Sequence, residues 1–288
     1  MANTNNNTAF KTLVPIGPGF WNIRGSFKIF KGLIDIGTHM SIIQLSSGKF
    51  VVVDTIPLTD EIKAEIDQLT ENGTQIEAVL ATHPFHTLAF PAFHAAYPNA
   101  AYYGCPRHLR KQPELGWVGN LNDCSTRNKW SPEIEMRIPE GSEFVAPEPE
   151  THNHFSCVFV FHPASRTIHV DDTIMIGSNP GILLKLAGYK HGTMSFHPSI
   201  KNVGLFPTAE APYQFRDWLK DVIQSWDFDN ICAAHMGNKV GGAKTQLTET
   251  LDKAEPLFKK ISDRNKSKKP ATVDPNEPQL TVTGNECG

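Results

Sequence analysis

Short apolar, β-branched runs set off by turn residues mark the first part of the chain. Residues 40–45 and 49–54 flank Ser46-Ser47-Gly48, a turn of hairpin type. The second run, Phe50-Val51-Val52-Val53, is nearly all β-branched, which predicts a strand buried on both faces. A shorter strand is predicted over 27–30. From Pro57 to Thr70 the period changes to helical: Ile62, Ile66 and Leu69 recur at +4 and +3, and Asp60 and Glu61 occupy the first turn. Asn72-Gly73 predicts its end. Residues 76–81 read as an apolar strand. Residues 85–97 read as a helix that Pro91 must start, kink or break, and 101–103 as a further strand. Residues 105–150, rich in Pro, Asn and Gly, predict loops and short helices.

The second half repeats the plan without repeating the sequence. Residues 156–161 and 167–170 flank Pro163-Ala164-Ser165, a second hairpin. Residues 176–206 are Gly-rich and irregular. Over 209–226, Phe215, Trp218, Leu219, Val222, Ile223 and Trp226 form one broad apolar helix face. A buried strand over 230–234 and a last helix over 245–261 follow. Each half is a hairpin followed by alternating strands and helices, so the fold class is α/β. The expected architecture is two sheets face to face, helices outside and a site at their shared edge. The expected divisions are a polar lead-in (1–15), a single domain (16–264) and a disordered tail (265–288).

Composition narrows the class. The 288 residues are 40% hydrophobic, with 30 acidic against 27 basic groups. Such a chain is neither disordered, coiled-coil nor collagen-like. No basic excess suggests a nucleic-acid partner, and no apolar run approaches a membrane span. The polar start, Met1-Ala2-Asn3-Thr4, is no secretory signal. The five cysteines are widely spaced without a CxxC pair, and read as reduced thiols of a cytoplasmic protein, Cys157 and Cys232 buried in strands.

The 12 histidines carry the chemistry. Four segments set potential metal ligands beside apolar strands: Thr82-His83-Pro84-Phe85-His86, His152-Asn153-His154, His169-Val170-Asp171-Asp172 and Ala233-Ala234-His235. Strand ends hold side chains with little freedom, as a metal site requires. Imidazole and carboxylate suit zinc and non-haem iron. His94, His108, His162, His169, His191 and His197 read as surface or core histidines, the last two bordering a possible pocket.

The order of these segments resembles the metallo-β-lactamase fold superfamily. Val51-Val52-Val53-Asp54 resembles its early strand and Asp, Thr82-His83 the start of its H-x-H-x-D-H loop, and His152-Asn153-His154 its distal-histidine turn. Val170-Asp171-Asp172 resembles the bridging-Asp strand, and Ala234-His235-Met236-Gly237 the final His-Gly. The resemblance spans roughly residues 20–262. It implies a four-layer αββα sandwich and a metal-dependent hydrolase acting on a small ester, lactone, amide or thioester. The implied metal ligands are His83, His86, His152, Asp172 and His235, with His154 the alternative to His152 and Asp54 a structural acceptor.

One departure bears on mechanism. The loop reads His83-Pro84-Phe85-His86-Thr87-Leu88, spaced H-x-x-H with no carboxylate after it. One zinc is therefore expected rather than two. His86 or Asp172 would serve as the general base that orients the attacking water. A metal-free member that binds a small molecule, and an iron-dependent redox enzyme, are the alternatives. The expected partner is a small-molecule substrate, with no nucleic acid and no membrane; no pattern sets an oligomeric state.

Overall fold

A computed structural model describes residues 10–29, 31–150, 152–177, 191–235 and 237–267. In chain order it contains β1 (Val14–Gly17), β2 (Phe20–Gly25), β3 (Lys28–Ile29), β4 (Ile34–Asp35), β5 (Thr38–Gln44), β6 (Phe50–Val53), α1 (Asp60–Thr70), β7 (Ile76–Ala81), α2 (Phe90–Ala96), β8 (Ala101–Gly104), α3 (Pro106–Lys111), β9 (Gly119–Asn120), α4 (Cys124–Arg127) and β10 (Glu135–Arg137). There follow β11 (Phe159–His162), β12 (Thr167–Val170), β13 (Ile174–Ile176), β14 (Met194–Phe196), α5 (Ala211–Ser225), β15 (Asn230–Ala233), β16 (Asn238–Lys239), α6 (Ala243–Lys253) and α7 (Glu255–Ser267).

Two mixed sheets form the centre. The first runs β1-β2-β5-β6-β7-β8-β9, antiparallel as far as β6 and parallel beyond it. The second runs β10-β11-β12-β15-β16, with β12 and β15 its parallel pair. Side-chain alternation sorts each strand between two cores. Val51 and Val53 of β6 meet Val160 and Cys232 of the second sheet between the layers. Phe50 and Val52 pack outward with Ile62, Ile66 and Phe93 of α1 and α2. Phe159, Phe161, Ile168 and Val170 pack outward against Phe215, Trp218, Leu219 and Val222 of α5 and Phe258 of α7. The result is the expected α/β sandwich with helices on both outer faces.

Three local outcomes differ from the sequence expectation. The helix expected over 85–97 begins at Phe90, with Pro91 in its first turn, and residues 83–89 stay irregular. Proline lacks the N–H a helix interior needs and is tolerated in the first turn. The last helix is two, α6 and α7, and α7 runs to Ser267, inside the expected tail; residues 268–288 lie outside the described residues. The lead-in is anchored from Lys11: Glu65 of α1 accepts from the amides of Lys11, Thr12 and Leu13, and Leu13 is fully buried.

Cys105, Cys157 and Cys232 are buried free thiols. Cys124 departs from the reading of five reduced thiols: it is disulfide-bonded. Among the described residues, no helix is long and apolar enough to cross a membrane.

Candidate metal centre

Four strands end together at one edge of the sandwich. β6 and β7 run parallel with Val53 opposite Leu80, so Asp54 and Thr82-His83 leave side by side. β12 and β15 run parallel with Val170 opposite Ala233, which brings Asp171-Asp172 level with Ala234-His235. Asp54 turns out of its strand at φ 56°, a left-handed conformation that Asp tolerates better than most residues. Its carboxylate accepts from the Thr82 amide at 3.0 Å and from the Thr82 hydroxyl.

Behind this edge, between the sheets, lies a polar array. Asn238 donates to Asn22 Oδ1 at 2.8 Å, which orients the Asn22 amide. Asn22 Nδ2 donates to Ser41 Oγ at 3.0 Å and faces His39 Nδ1 at 3.2 Å. His39 Nδ1 therefore accepts, and its proton lies on Nε2, which faces Asp171 Oδ1 at 3.4 Å. Ser41 in turn donates to His169 Nδ1 at 2.9 Å, leaving the His169 Nε2 proton for Asp54 Oδ2 at 3.1 Å. The two imidazoles stack with centroids 4.0 Å apart. Thr82 Oγ1 lies 2.8 Å from Asp171 Oδ2 and closes the array.

In front lies a different arrangement, centred on Asp172. Its Oδ2 is 3.5 Å from His83 Nε2 and 3.7 Å from His154 Nδ1. Its Oδ1 is 2.8 Å from His235 Nε2 and 3.9 Å from His86 Nε2. Despite the 2.8 Å approach, Asp172 Oδ1 has no hydrogen bond in acceptable geometry, nor does the buried His83 Nε2. His235 Nδ1 is 2.7 Å from the Gly37 carbonyl, which can only accept, so Nδ1 carries a proton and Nε2 is the nitrogen that faces the carboxylate. A positive charge belongs at that contact, a proton or a metal ion.

The spacings fit a metal. Ligand bonds of about 2.0–2.1 Å around a tetrahedral ion place neighbouring donors about 3.3–3.4 Å apart. Separations of 3.5–3.9 Å are near such an edge and too long for hydrogen bonds. Among the described residues, four groups of three donors lie close enough to hold an ion: His83–His154–Asp172 and His86–Asp172–His235 share Asp172 in front, and His39–His169–Asp171 and Asp54–His86–Asp171 share Asp171 behind. One contact must yield: the Phe85 amide lies 3.2 Å from His83 Nδ1, and ligation through Nε2 would move the ring proton to that nitrogen.

Burial and charge set the protonation of this cluster. Burial, helped by His86, pushes His83 down to about 3. Burial would also lower His86, but the Asp171 charge beside it prevails and holds it up at about 9. Burial opposes ionisation of both tandem carboxylates, yet His86 holds Asp171, and His235 with His83 holds Asp172, well below the usual range. Burial next to Asp171 raises Asp54 to about 6.

The irregular segment carrying His83 and His86 is held from one side by α3 and the residue after it. Arg107 donates to the Pro84 carbonyl at 3.2 Å, His108 Nε2 to the His86 carbonyl at 3.2 Å, and Gln112 to the Thr87 carbonyl at 3.1 Å. These substitute for the hydrogen bonds a regular helix would have made.

The structure thus brings together His83, His86, Asp172 and His235 of the expected ligands. For His152 it substitutes His154; residues 152–158 are mostly irregular, so simple alternation does not say which histidine turns inward. His152 instead lines the cavity in front of the centre. That cavity, of about 830 Å³, also exposes His154, Asp172 and His235 to apolar walls from Phe27, Ile29, Ile36, Met175 and Val203. His197 lines it too, as the irregular 176–206 stretch suggested; residues 178–190 lie outside the described residues. A smaller cavity of about 140 Å³ reaches His86 and His235 from the Phe27, Phe85 and Leu88 side. The sequence reading overlooked His39 and treated His169 as ordinary core. The signal was present: in β5, His39, Ser41 and Ile43 alternate onto one face, which Ile43 marks as facing the second sheet.

Comparison with solved structures places this architecture. The chain matches a metallo-β-lactamase from Erythrobacter litoralis, with β-mercaptoethanol in its active site, at 16% identity and TM-score 0.50, covering 84% of this chain and 96% of that one. It matches the FIM-1 metallo-β-lactamase from Pseudomonas aeruginosa, in a mono-zinc form, at 14% identity and TM-score 0.52, covering 89% and 96%. A metallo-β-lactamase from Hirschia baltica matches at 17% identity and TM-score 0.51, covering 85% and 96%. No family model matches the chain, and no curated protein is similar to it in sequence. The chain has the metallo-β-lactamase fold, in a form far diverged in sequence.

Proposed function

We propose that this protein is a metal-dependent hydrolase acting on a small-molecule ester, lactone, amide or thioester. The observation that carries the reading is the ring of four imidazoles around Asp172: three stand 3.5–3.9 Å from its carboxylate, His235 stands at 2.8 Å, and the buried Nε2 of His83 and Oδ1 of Asp172 make no hydrogen bond. A zinc ion, when bound, supplies an activated water near neutral pH and polarises the scissile carbonyl. Four imidazoles and one carboxylate would hold it, and the sharing of Asp172 by two donor groups allows one ion or two.

The protein's own groups do the rest. The Gly37 carbonyl keeps His235 Nε2 turned inward. The front cavity receives the apolar part of a substrate against Phe27, Ile29, Ile36, Met175 and Val203. Asn202 and Ser199, on the same wall, offer polar contacts to an ester or amide group. Asp172, beside His235 and open to this cavity, is placed to accept a proton during attack.

The test is hydrolysis of a panel of ester, lactone, amide and thioester substrates by zinc-loaded protein. Turnover abolished by a chelator and restored by zinc supports the reading. Turnover insensitive to chelation, or none in zinc-replete protein, contradicts it. The same nitrogen and oxygen donors suit iron, so iron-loaded protein belongs in the same panel.

A further inference from the structure

We propose that Asp171 is a positioning residue that fixes His86 as a metal ligand through Nε2, holding the ring from behind by its Nδ1. The inference rests on the metal-centre reading above and assigns a task to the polar array behind it. His86 sits on an irregular segment, so its backbone alone does not orient the ring. The ring spans the tandem carboxylates: Nδ1 is 3.2 Å from Asp171 Oδ1, and Nε2 is 3.9 Å from Asp172 Oδ1. With its proton on Nδ1 the ring faces Asp171 at ion-pair distance and presents Nε2 to Asp172 and His235. Carboxylate partners of this kind set the tautomer of metal-bound histidines and raise their basicity.

Asp171 is suited to hold a ring and ill suited to bind the ion itself. It follows a strand directly, so it and Asp172 leave on opposite sides. Its side chain is fully buried, with Oδ2 on the Thr82 hydroxyl at 2.8 Å and Oδ1 toward His39 Nε2 at 3.4 Å. Thr82 is pinned in turn by Asp54, and Asp54 by His169. His39 Nε2, which faces Asp171 from this side, already carries its proton, as the Asn22 orientation requires. The chain Ser41–His169–Asp54–Thr82–Asp171 thus ends on the His86 ring, and rigidity built between the sheets is delivered to one ligand. One rival arrangement uses the same atoms: Asp54, His86 and Asp171 are close enough to hold an ion on the Nδ1 side. That would reverse the assignment of the two nitrogens.

Long-range proton–nitrogen NMR of histidine-labelled, zinc-loaded wild-type protein separates the two. The expected result is His86 protonated at Nδ1 and metal-shifted at Nε2; metallation at Nδ1 overturns the proposal. A second arm measures zinc affinity of Asp171→Asn by chelator competition, with an expected loss of about 10–100-fold. A folded Asp171→Asn protein that binds zinc as tightly as wild type also overturns it, while leaving the hydrolase reading intact. If Asp171→Asn fails to fold, the wild-type spectrum decides alone. Wild-type protein that binds no zinc removes this proposal and the hydrolase reading together.

Discussion

The tandem Asp171-Asp172 divides two polar clusters built from the same residue types. Behind it, His39 and His169 face carboxylates whose partners are all protein groups, at 2.8–3.4 Å. In front, His83, His86 and His154 stand 3.5–3.9 Å from Asp172 and His235 at 2.8 Å, and two buried atoms have no hydrogen-bond partner. Histidines and aspartates alone therefore do not define a metal site. In the rear cluster Asn22, Ser41 and Asp54 supply the donors and acceptors that meet the two rings. The front cluster lacks such small polar residues, and its four rings converge on one carboxylate instead of pairing off.

That contrast predicts opposite responses to mutation and to metal. The largest effect belongs to Asp172, common to both front donor groups. Loss of an outer partner of a metal ligand costs about 10–100-fold in affinity, so Asp172→Asn should weaken zinc binding by more than about 100-fold by competition titration. Binding within tenfold of wild type would dissolve the front cluster as a site. Next comes stability without metal. His169→Leu takes one buried partner each from Ser41 and Asp54 and should cost about 2–4 kcal/mol in denaturant unfolding. His83→Leu removes a ring whose Nε2 has no partner, and should cost no more than about 1 kcal/mol. Equal costs would erase the distinction between the clusters.

Metal should act on the front alone. Zinc at about 100 times its Kd should stabilise wild type by about 2.7 kcal/mol, a melting shift of about 5–10 °C, and His83→Leu by far less. The smallest effect is at the support. His108→Ala removes the donor to the His86 carbonyl and should weaken zinc binding a few-fold while lowering stability by about 1 kcal/mol. An unchanged affinity would show that α3 does not matter to the position of the segment.

Much of this was legible in the chain. Short apolar, β-branched runs located β5, β6, β7, β11, β12 and β15, and the ligand-bearing ends of β7, β12 and β15 followed from their positions after apolar strands. His154 was not separable from His152, because the stretch before β11 is irregular and offers no fixed alternation. The rear cluster escaped for another reason. His169 on a buried strand reads as a core residue until its partners are known, and Ser41, Asn22 and Thr82 come from three other segments. The α3 clamp escaped likewise: Arg107, His108 and Gln112 act on carbonyls, which sequence does not distinguish.

The most direct test is elemental analysis of freshly purified wild-type protein beside Asp172→Asn, each before and after reconstitution with zinc. The account predicts at least about one bound metal ion per wild-type chain and its loss in Asp172→Asn. A folded wild-type protein that retains no metal after reconstitution with zinc, or with iron, would contradict it.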